Sequence, residues 1–128
     1  MGKSDFSFDD FCRVISEFSS CMDDYPYVID LKNDKYFISE KALQRFAIPS
    51  SLFTDVMNTH KKFVDARDYQ LLAEDLEKLQ TGKKNIHNLE YRWLDKEKRP
   101  VWINCRGRVL ADEDGIPEFM IGCINEIG

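Results

Sequence analysis

Apolar residues recur along this chain with two periods, and the period changes along its length. From Asp5 to Ser20 they fall at helical spacing. Phe8, Phe11, Ile15 and Phe18 lie at i, i+3, i+7 and i+10, and Val14 widens the stripe. The pattern predicts one amphipathic helix. Ser7 or Asp5 is placed to cap it, and Asp9 and Asp10 in the first turn suit the positive end of a helix dipole. Pro26 interrupts, and Tyr27 to Leu31 (YVIDL) begins a strand. Lys32-Asn33-Asp34-Lys35 has the composition of a hairpin turn, and Tyr36-Phe37-Ile38 is a second short strand.

The middle of the chain returns to helical spacing. Ser39 to Phe46 (SEKALQRF) predicts a short helix with Ser39 as cap, and Pro49-Ser50-Ser51 breaks it. Leu52 to His60 predicts another turn or two of helix. Asp65 to Gln80 is the clearest internal helix: Asp65 caps it, Asp68 stands as in a capping box, and Leu71, Leu72, Asp75, Leu76 and Leu79 trace one face. Gly82 ends it. From Ile86 onward the period is two. Leu89, Tyr91 and Trp93 alternate with Glu90, Arg92 and Leu94. Val101, Ile103, Cys105, Gly107 and Val109 alternate with Trp102, Asn104, Arg106, Arg108 and Leu110. A last strand spans about 116–127. The order is therefore helix, two strands, small helices, a longer helix and three strands joined by hairpins. Strands segregated from helices with tight connections indicate the α+β class and a five-stranded antiparallel sheet. Two units are expected: 1–24 as the amphipathic helix and its linker, and 25–128 as the sheet domain.

Bulk properties narrow the function. The chain has 128 residues, 43% hydrophobic and 32% charged, enough for one core and a solvated surface. A net charge of −5 argues against a nucleic-acid footprint, which needs a basic stripe. No apolar run approaches the length of a membrane span, so no membrane segment is expected. The N-terminal MGKSDFSF lacks the apolar core of a secretion signal, and MGKSDF lacks the Ser or Thr of a myristoylation signal. Cys12, Cys21, Cys105 and Cys123 form no CxxC pair and have no histidine at ligand spacing, so no metal site is expected. Reduced thiols in a cytoplasmic protein are the expectation.

Three segments resemble the PAS family of sensor domains. EYRWLDKEKRPVW at 90–102 resembles the E-Y-R-x-x-x-K-D-G-x-x-x-W segment of many members, with Lys96-Glu97-Lys98 at the usual turn. RGRVLADEDGIPEFMIGCINEI resembles the family's closing strands, with Arg106, Gly107, Asp112, Gly115, Pro117, Gly122 and Ile127 at matching places. The terminal D-I-T signature reads Glu126-Ile127-Gly128. FVDARDYQLLAEDLEKLQTG at 63–82 looks like the helix that often begins V-H-P-D-D, of which Val64, Asp65 and Asp68 remain. YVIDLKNDKYFIS and IGCINEIG look like sensors that precede diguanylate cyclase or phosphodiesterase domains in anaerobic bacteria. The resemblance covers residues 25–128. It implies a PAS fold, a sensory rather than an enzymatic role, a homodimer, and an output domain after Gly128, with cyclic-di-GMP turnover as its activity. Signal would leave through Glu126 and Ile127.

The two-residue period assigns faces. If the DEDG turn sets Ala111 against Ile116, Cys105 faces Gly122, Ile103 faces Ile124, Arg106 meets Ile121 and Arg108 meets Phe119. The resemblance makes Tyr91, Trp93, Ile103, Cys105, Gly107, Met120, Gly122 and Ile124 the inward set. The candidate ligand pocket is Tyr91, Trp93, Ile103, Cys105, Met120 and Ile124. Either a small unidentified ligand occupies that space or these side chains fill it themselves, which leaves an interaction module with no ligand. Outward, Trp102, Phe119, Ile121 and Cys123 form an apolar patch, the mark of an interface. The stripe Phe8, Phe11, Ile15 and Phe18 is expected to cover it, within one chain or across a dimer.

Reactive chemistry finds little support. Light-sensing relatives carry an adduct-forming cysteine in the helical region, and residues 39–80 contain none. Ile103 and Ile124 stand where those relatives place polar groups for a flavin ring. Haem would want an axial histidine; His60 and His87 are the only two in the chain and read as polar surface residues. Neither cofactor is therefore expected. No catalytic residue emerges, because no nucleophile and base can be paired. Cys105 and Arg106 alternate faces, so the thiol reads as buried packing, and Arg106 is expected to pair with Glu90 on the outer face. Asp112-Glu113-Asp114 is a hairpin turn, since calcium ligands would be spaced over about a dozen residues.

Overall fold

The computed structural model describes residues 6–128. Its α+β architecture begins with helix α1 (Phe8–Phe18), continued by a 3₁₀ turn at Ser19–Cys21. Strands β1 (Tyr25–Asp30) and β2 (Lys35–Ile38) form a hairpin, followed by α2 (Ala42–Arg45), β3 (Leu52–Thr54), α3 (Val56–His60) and α4 (Tyr69–Gln80). Long strands β4 (Ile86–Leu94), β5 (Pro100–Ala111) and β6 (Pro117–Glu126) complete the chain. They join one antiparallel sheet in the order β3-β2-β1-β6-β5-β4, so the first hairpin docks on the last strand.

Ser7 caps α1. Its hydroxyl accepts the Asp10 amide at 3.1 Å, and Asp10 returns a carboxylate to the Ser7 amide at 2.9 Å. Asp5, the other candidate cap, lies outside the described residues. Pro26 falls inside β1, at its start, where a missing N–H costs the ladder least. The β1–β2 turn is held by Asp30, whose carboxylate accepts the Asn33 amide at 3.0 Å.

Four expectations are corrected. The sheet has six strands: Leu52–Thr54 pairs with β2 through Tyr36 and Phe53, and only Val56–His60 is helical. The two inner rings stack with centroids 4.7 Å apart, and this packing overrides the helical reading of so short a segment. Second, α4 starts at Tyr69 without the expected capping box. Asp65 binds Arg67 instead, and Asp68 accepts the Arg92 guanidinium at 2.7 Å and the Arg92 amide at 2.9 Å. A carboxylate that satisfies a strand-edge amide and a cation is no longer available to the helix end. Third, α2 begins only after Lys41, and the buried Ser39 hydroxyl makes no hydrogen bond.

The fourth correction is register. Cys105 pairs with Ile124, Arg106 with Cys123, Arg108 with Ile121 and Ile103 with Glu126, two residues from the expected alignment, with an irregularity at Leu110/Ala111. A shift of two keeps every side chain on its face. In the separate β4–β5 ladder Arg106 lies opposite Asn88 and Glu90 opposite Asn104, and no Arg106–Glu90 ion pair forms among the described residues.

Two apolar clusters flank the sheet. The larger lies between its inner face and α2–α4, with Trp93, Phe46, Phe63, Ile38, Ile103 and Ile124 fully buried. The smaller sits under α1 on the outer face, where Phe8 and Ile15 meet Val28 and Phe119. Burying a side chain of this size contributes about 2 kcal/mol, so α1 is an integral layer.

Candidate functional site

A small cavity of about 20 Å³ lies beneath the inner face, the space of roughly one water molecule. β1 and β2 supply Tyr27, Ile29 and Tyr36; α3 supplies Val56, Met57 and His60; α4 supplies Leu72 and Leu76. His87, Tyr91, Cys105 and Met120 come from β4–β6. Of the sequence candidates, Tyr91, Cys105 and Met120 border this cavity. Trp93, Ile103 and Ile124 are buried in the surrounding core instead.

The rest of the lining comes from elements whose depth the sequence left open. His87 was legible in principle, because it shares strand parity with Tyr91 and Trp93. Both histidines are buried, 4% exposed for His60 and 2% for His87, which corrects their reading as surface residues. Their rings are compatible with burial because each has a fixed partner. His60 Nδ1 lies 2.8 Å from the Val56 carbonyl, which can only accept, so Nδ1 carries the proton. Burial pushes the His60 pKa down to about 4, with the carbonyl bond opposing. His87 Nδ1 lies 2.6 Å from Asp75 Oδ2, and Lys84 Nζ lies 2.6 Å from Asp75 Oδ1. Burial lowers the His87 pKa against the pull of Asp75. Burial works to raise the Asp75 carboxyl, but the Lys84 and His87 bonds outweigh it and leave it lowered. Asp75 is thus the anion and His87 the neutral donor.

The two rings bracket the cavity. His60 stands 6.4 Å from Trp93, ring to ring. His87 precedes Trp93 by six strand residues, roughly 20 Å along β4. Between them Tyr27 and Tyr36 stack in parallel with centroids 5.7 Å apart, and His60 meets Tyr36 edge-on at 5.0 Å. The Cys105 thiol donates to the Tyr27 hydroxyl at 3.3 Å. Burial pushes that thiol up to about 12 and holds Tyr27, Tyr36 and Tyr91 well above the ordinary phenol value. The cavity therefore holds neutral polar tips. Among the described residues no three His, Cys, Asp or Glu side chains converge as metal ligands.

On the outer face, Phe8, Ile15 and Phe119 are buried together, and Phe11 meets Phe119 at 5.0 Å between centroids. Ile121 is half-buried beside them. Phe18 is 57% exposed and Trp102 44% exposed, so these two lie outside the contact. Arg92 covers one side of Trp102, its guanidinium 4.6 Å from the ring. Beside α1 an open groove of about 660 Å³ runs over β5 and β6, lined by Val14, Phe18, Met22, Ile121, Cys123 and the exposed Arg106 and Arg108, among others.

At the end of β6, Glu126 accepts Arg45 Nε at 2.8 Å and Nη2 at 3.0 Å, and the Ile127 amide donates to the Trp102 carbonyl at 3.1 Å. One turn earlier on the same side of the fold, Lys41 Nζ donates to the Ser19 carbonyl at 2.8 Å and to the Met22 carbonyl. The short helix α2 thus ties the linker after α1 and the end of β6 to one element. No helix among the described residues is long and apolar enough to cross a membrane.

Similarity to known proteins places this architecture. The PAS fold family matches residues 35–124, and the chain belongs to it. No curated protein matches the sequence. Among solved structures, the N-terminal domain of a diguanylate cyclase with PAS/PAC sensor from Marinobacter aquaeolei is similar, with TM-score 0.67, 18% identity, and coverage of 80% of this chain and 94% of that one. A sensory box histidine kinase/response regulator from Burkholderia thailandensis superposes with TM-score 0.66 at 16% identity, covering 87% and 82%. The LOV protein of Rhodobacter sphaeroides gives TM-score 0.67 at 12% identity, covering 94% and 67%.

Proposed function

We propose that this chain is the sensory and regulatory PAS module of a bacterial signalling protein, that it does not itself catalyse a reaction, and that it controls an output domain following Glu126 and Ile127. The observation that carries the reading is the small cavity lined by two buried histidines, His60 and His87, beneath a sheet whose last strand is tied at its end by Arg45. The ligand is a small molecule, smaller than flavin or haem. Binding shifts a population between two arrangements of the sheet. Cyclic-di-GMP turnover is the output favoured here, supported by the likeness to the Marinobacter sensor.

The module works as a homodimer paired through the outer face. The occupant of the groove beside α1 is a second copy of the chain. Charge supports the choice: Arg106 and Arg108 are exposed on the groove, and α1 carries Asp9 and Glu17 on its exposed side. The protein acts in the cytoplasm.

A second reading is favoured by the cavity's volume of about 20 Å³, which suits a filled interior and a dimerisation module without ligand. Native mass spectrometry of protein purified from cells, with thermal shift across a metabolite library, separates the two. A retained or stabilising small molecule supports sensing. An empty protein that no metabolite stabilises leaves the interaction module.

A further inference from the structure

One row of residues crosses the sheet from Tyr27 on β1 to Gly122 on β6, Gly107 on β5 and His87 on β4. The two glycines in its middle are directly opposed. The Tyr27 phenol lies over both: a Cβ on Gly107 would come 2.5 Å from the Tyr27 hydroxyl, and one on Gly122 2.8 Å from it. A Cβ on Gly122 would also strike the Arg106 carbonyl. The phenol therefore occupies the space where two side chains would normally project. Its hydroxyl accepts from the Cys105 thiol and donates to the Arg106 carbonyl, each at 3.3 Å. Tyr27 borders the inner cavity, and Tyr27, Gly107 and Gly122 also border the outer groove. Tyr27 is thus common to the linings of both spaces.

We propose that Tyr27 is the residue that couples the inner cavity to the outer groove. In the arrangement seen here its phenol seals the Gly107–Gly122 slot from inside. Occupation of the cavity displaces the phenol, and the uncovered glycine pair lets β5 and β6 repack on the groove side. The coupling is reciprocal, so a partner that holds the groove in the present arrangement holds the phenol in its slot. This rests on the sensory reading above, and its test uses no ligand, so either can fail alone.

The test is site-resolved alkylation of Cys123 by N-ethylmaleimide, followed by peptide mass spectrometry. Cys123 lies on the groove, next to Gly122. Gly107→Ala drives a methyl group into the phenol, and alkylation should quicken by about fivefold or more, the lower end of typical coupling between sites. Gly107→Ala with Tyr27→Phe removes the nearest clashing atom, leaving the looser approaches to Ile121 O and Met120 Cγ, and the rate should return towards that of the unaltered protein. Should Gly107→Ala fail to fold, Tyr27→Leu empties the slot and should quicken Cys123 in the same way. A folded Gly107→Ala or Tyr27→Leu protein with an unchanged Cys123 rate overturns the proposal. So does a double variant that stays as fast as Gly107→Ala.

Discussion

Arg45 and Glu126 form a two-point contact, Nε to Oε2 at 2.8 Å and Nη2 to Oε1 at 3.0 Å, between a four-residue helix and the last residue of β6. The same guanidinium reaches Asp95 at 3.8 Å and lies over the Phe46 ring at 5.5 Å. Phe46 in turn packs edge-on against Trp93 at 5.2 Å. The end of β6 is thus linked through one side chain to the centre of the core.

That link makes a specific prediction. Arg45 and Glu126 are each more than a third exposed or close to it, so the pair contributes only about 0.2–1 kcal/mol to stability. Its effect should be local. Arg45→Met should leave the unfolding midpoint nearly unchanged while amide hydrogen exchange quickens at residues 124–127. Exchange that stays at the level of the unaltered protein there would show that Arg45 does not hold the end of β6.

His60 predicts a pH dependence. Its pKa is about 4 in the fold and 6.5 when exposed. The unfolded chain therefore binds more protons between these values, and stability is lost as pH falls through that window. Between pH 7 and pH 5 the loss from this residue alone is about 2 kcal/mol. His87 shifts in the same direction and adds to it. The carboxylates with lowered pKa, Asp65, Asp68 and Asp75 among them, act mainly below this range. Urea unfolding at the two pH values should show the drop, and His60→Gln, which keeps a donor for the Val56 carbonyl, should reduce it.

Thiol labelling offers a direct check on the depth of the cavity. Burial raises Cys105 to about 12, so almost no thiolate is present at neutral pH. Cys21 is exposed. In the folded protein Cys21 should be modified first by iodoacetamide and Cys105 only at the rate of global unfolding. Early modification of Cys105, read by peptide mass, would show that the cavity opens to solvent.

The sheet was largely legible from its period. The face assignment of β5 and β6 tolerated a wrong register because an error of two residues returns each side chain to the same side. Cys105 and Met120 face inward in either register for that reason, whereas the partners of Arg106 change with it. What stayed hidden depended on tertiary contact. Leu52–Thr54 is too short to show alternation and becomes a strand only through Phe53 stacking on Tyr36. The depth of His60 depends on Tyr36, Phe53 and Phe63 closing around it, and none of these is its sequence neighbour at strand spacing. Asp68 left its capping role because Arg92, 24 residues away, offers it three hydrogen bonds.

The N-terminal helix carries the last prediction. Phe8 and Ile15 bury against Val28 and Phe119 in the same chain, while Phe6 and Phe18 remain 54% and 57% exposed. Removing residues 1–20 would uncover the outer cluster, including Phe119 and Ile121, and would also delete the side of the groove that α1 forms. A patch of that kind on a soluble domain drives association. Light scattering on the full chain should report a dimer. The shortened chain should be a monomer or should aggregate, because the surface proposed to pair two copies would be gone while its apolar floor is exposed. A shortened chain that remains a well-behaved dimer would show that α1 has no part in the pairing and that the copies meet elsewhere.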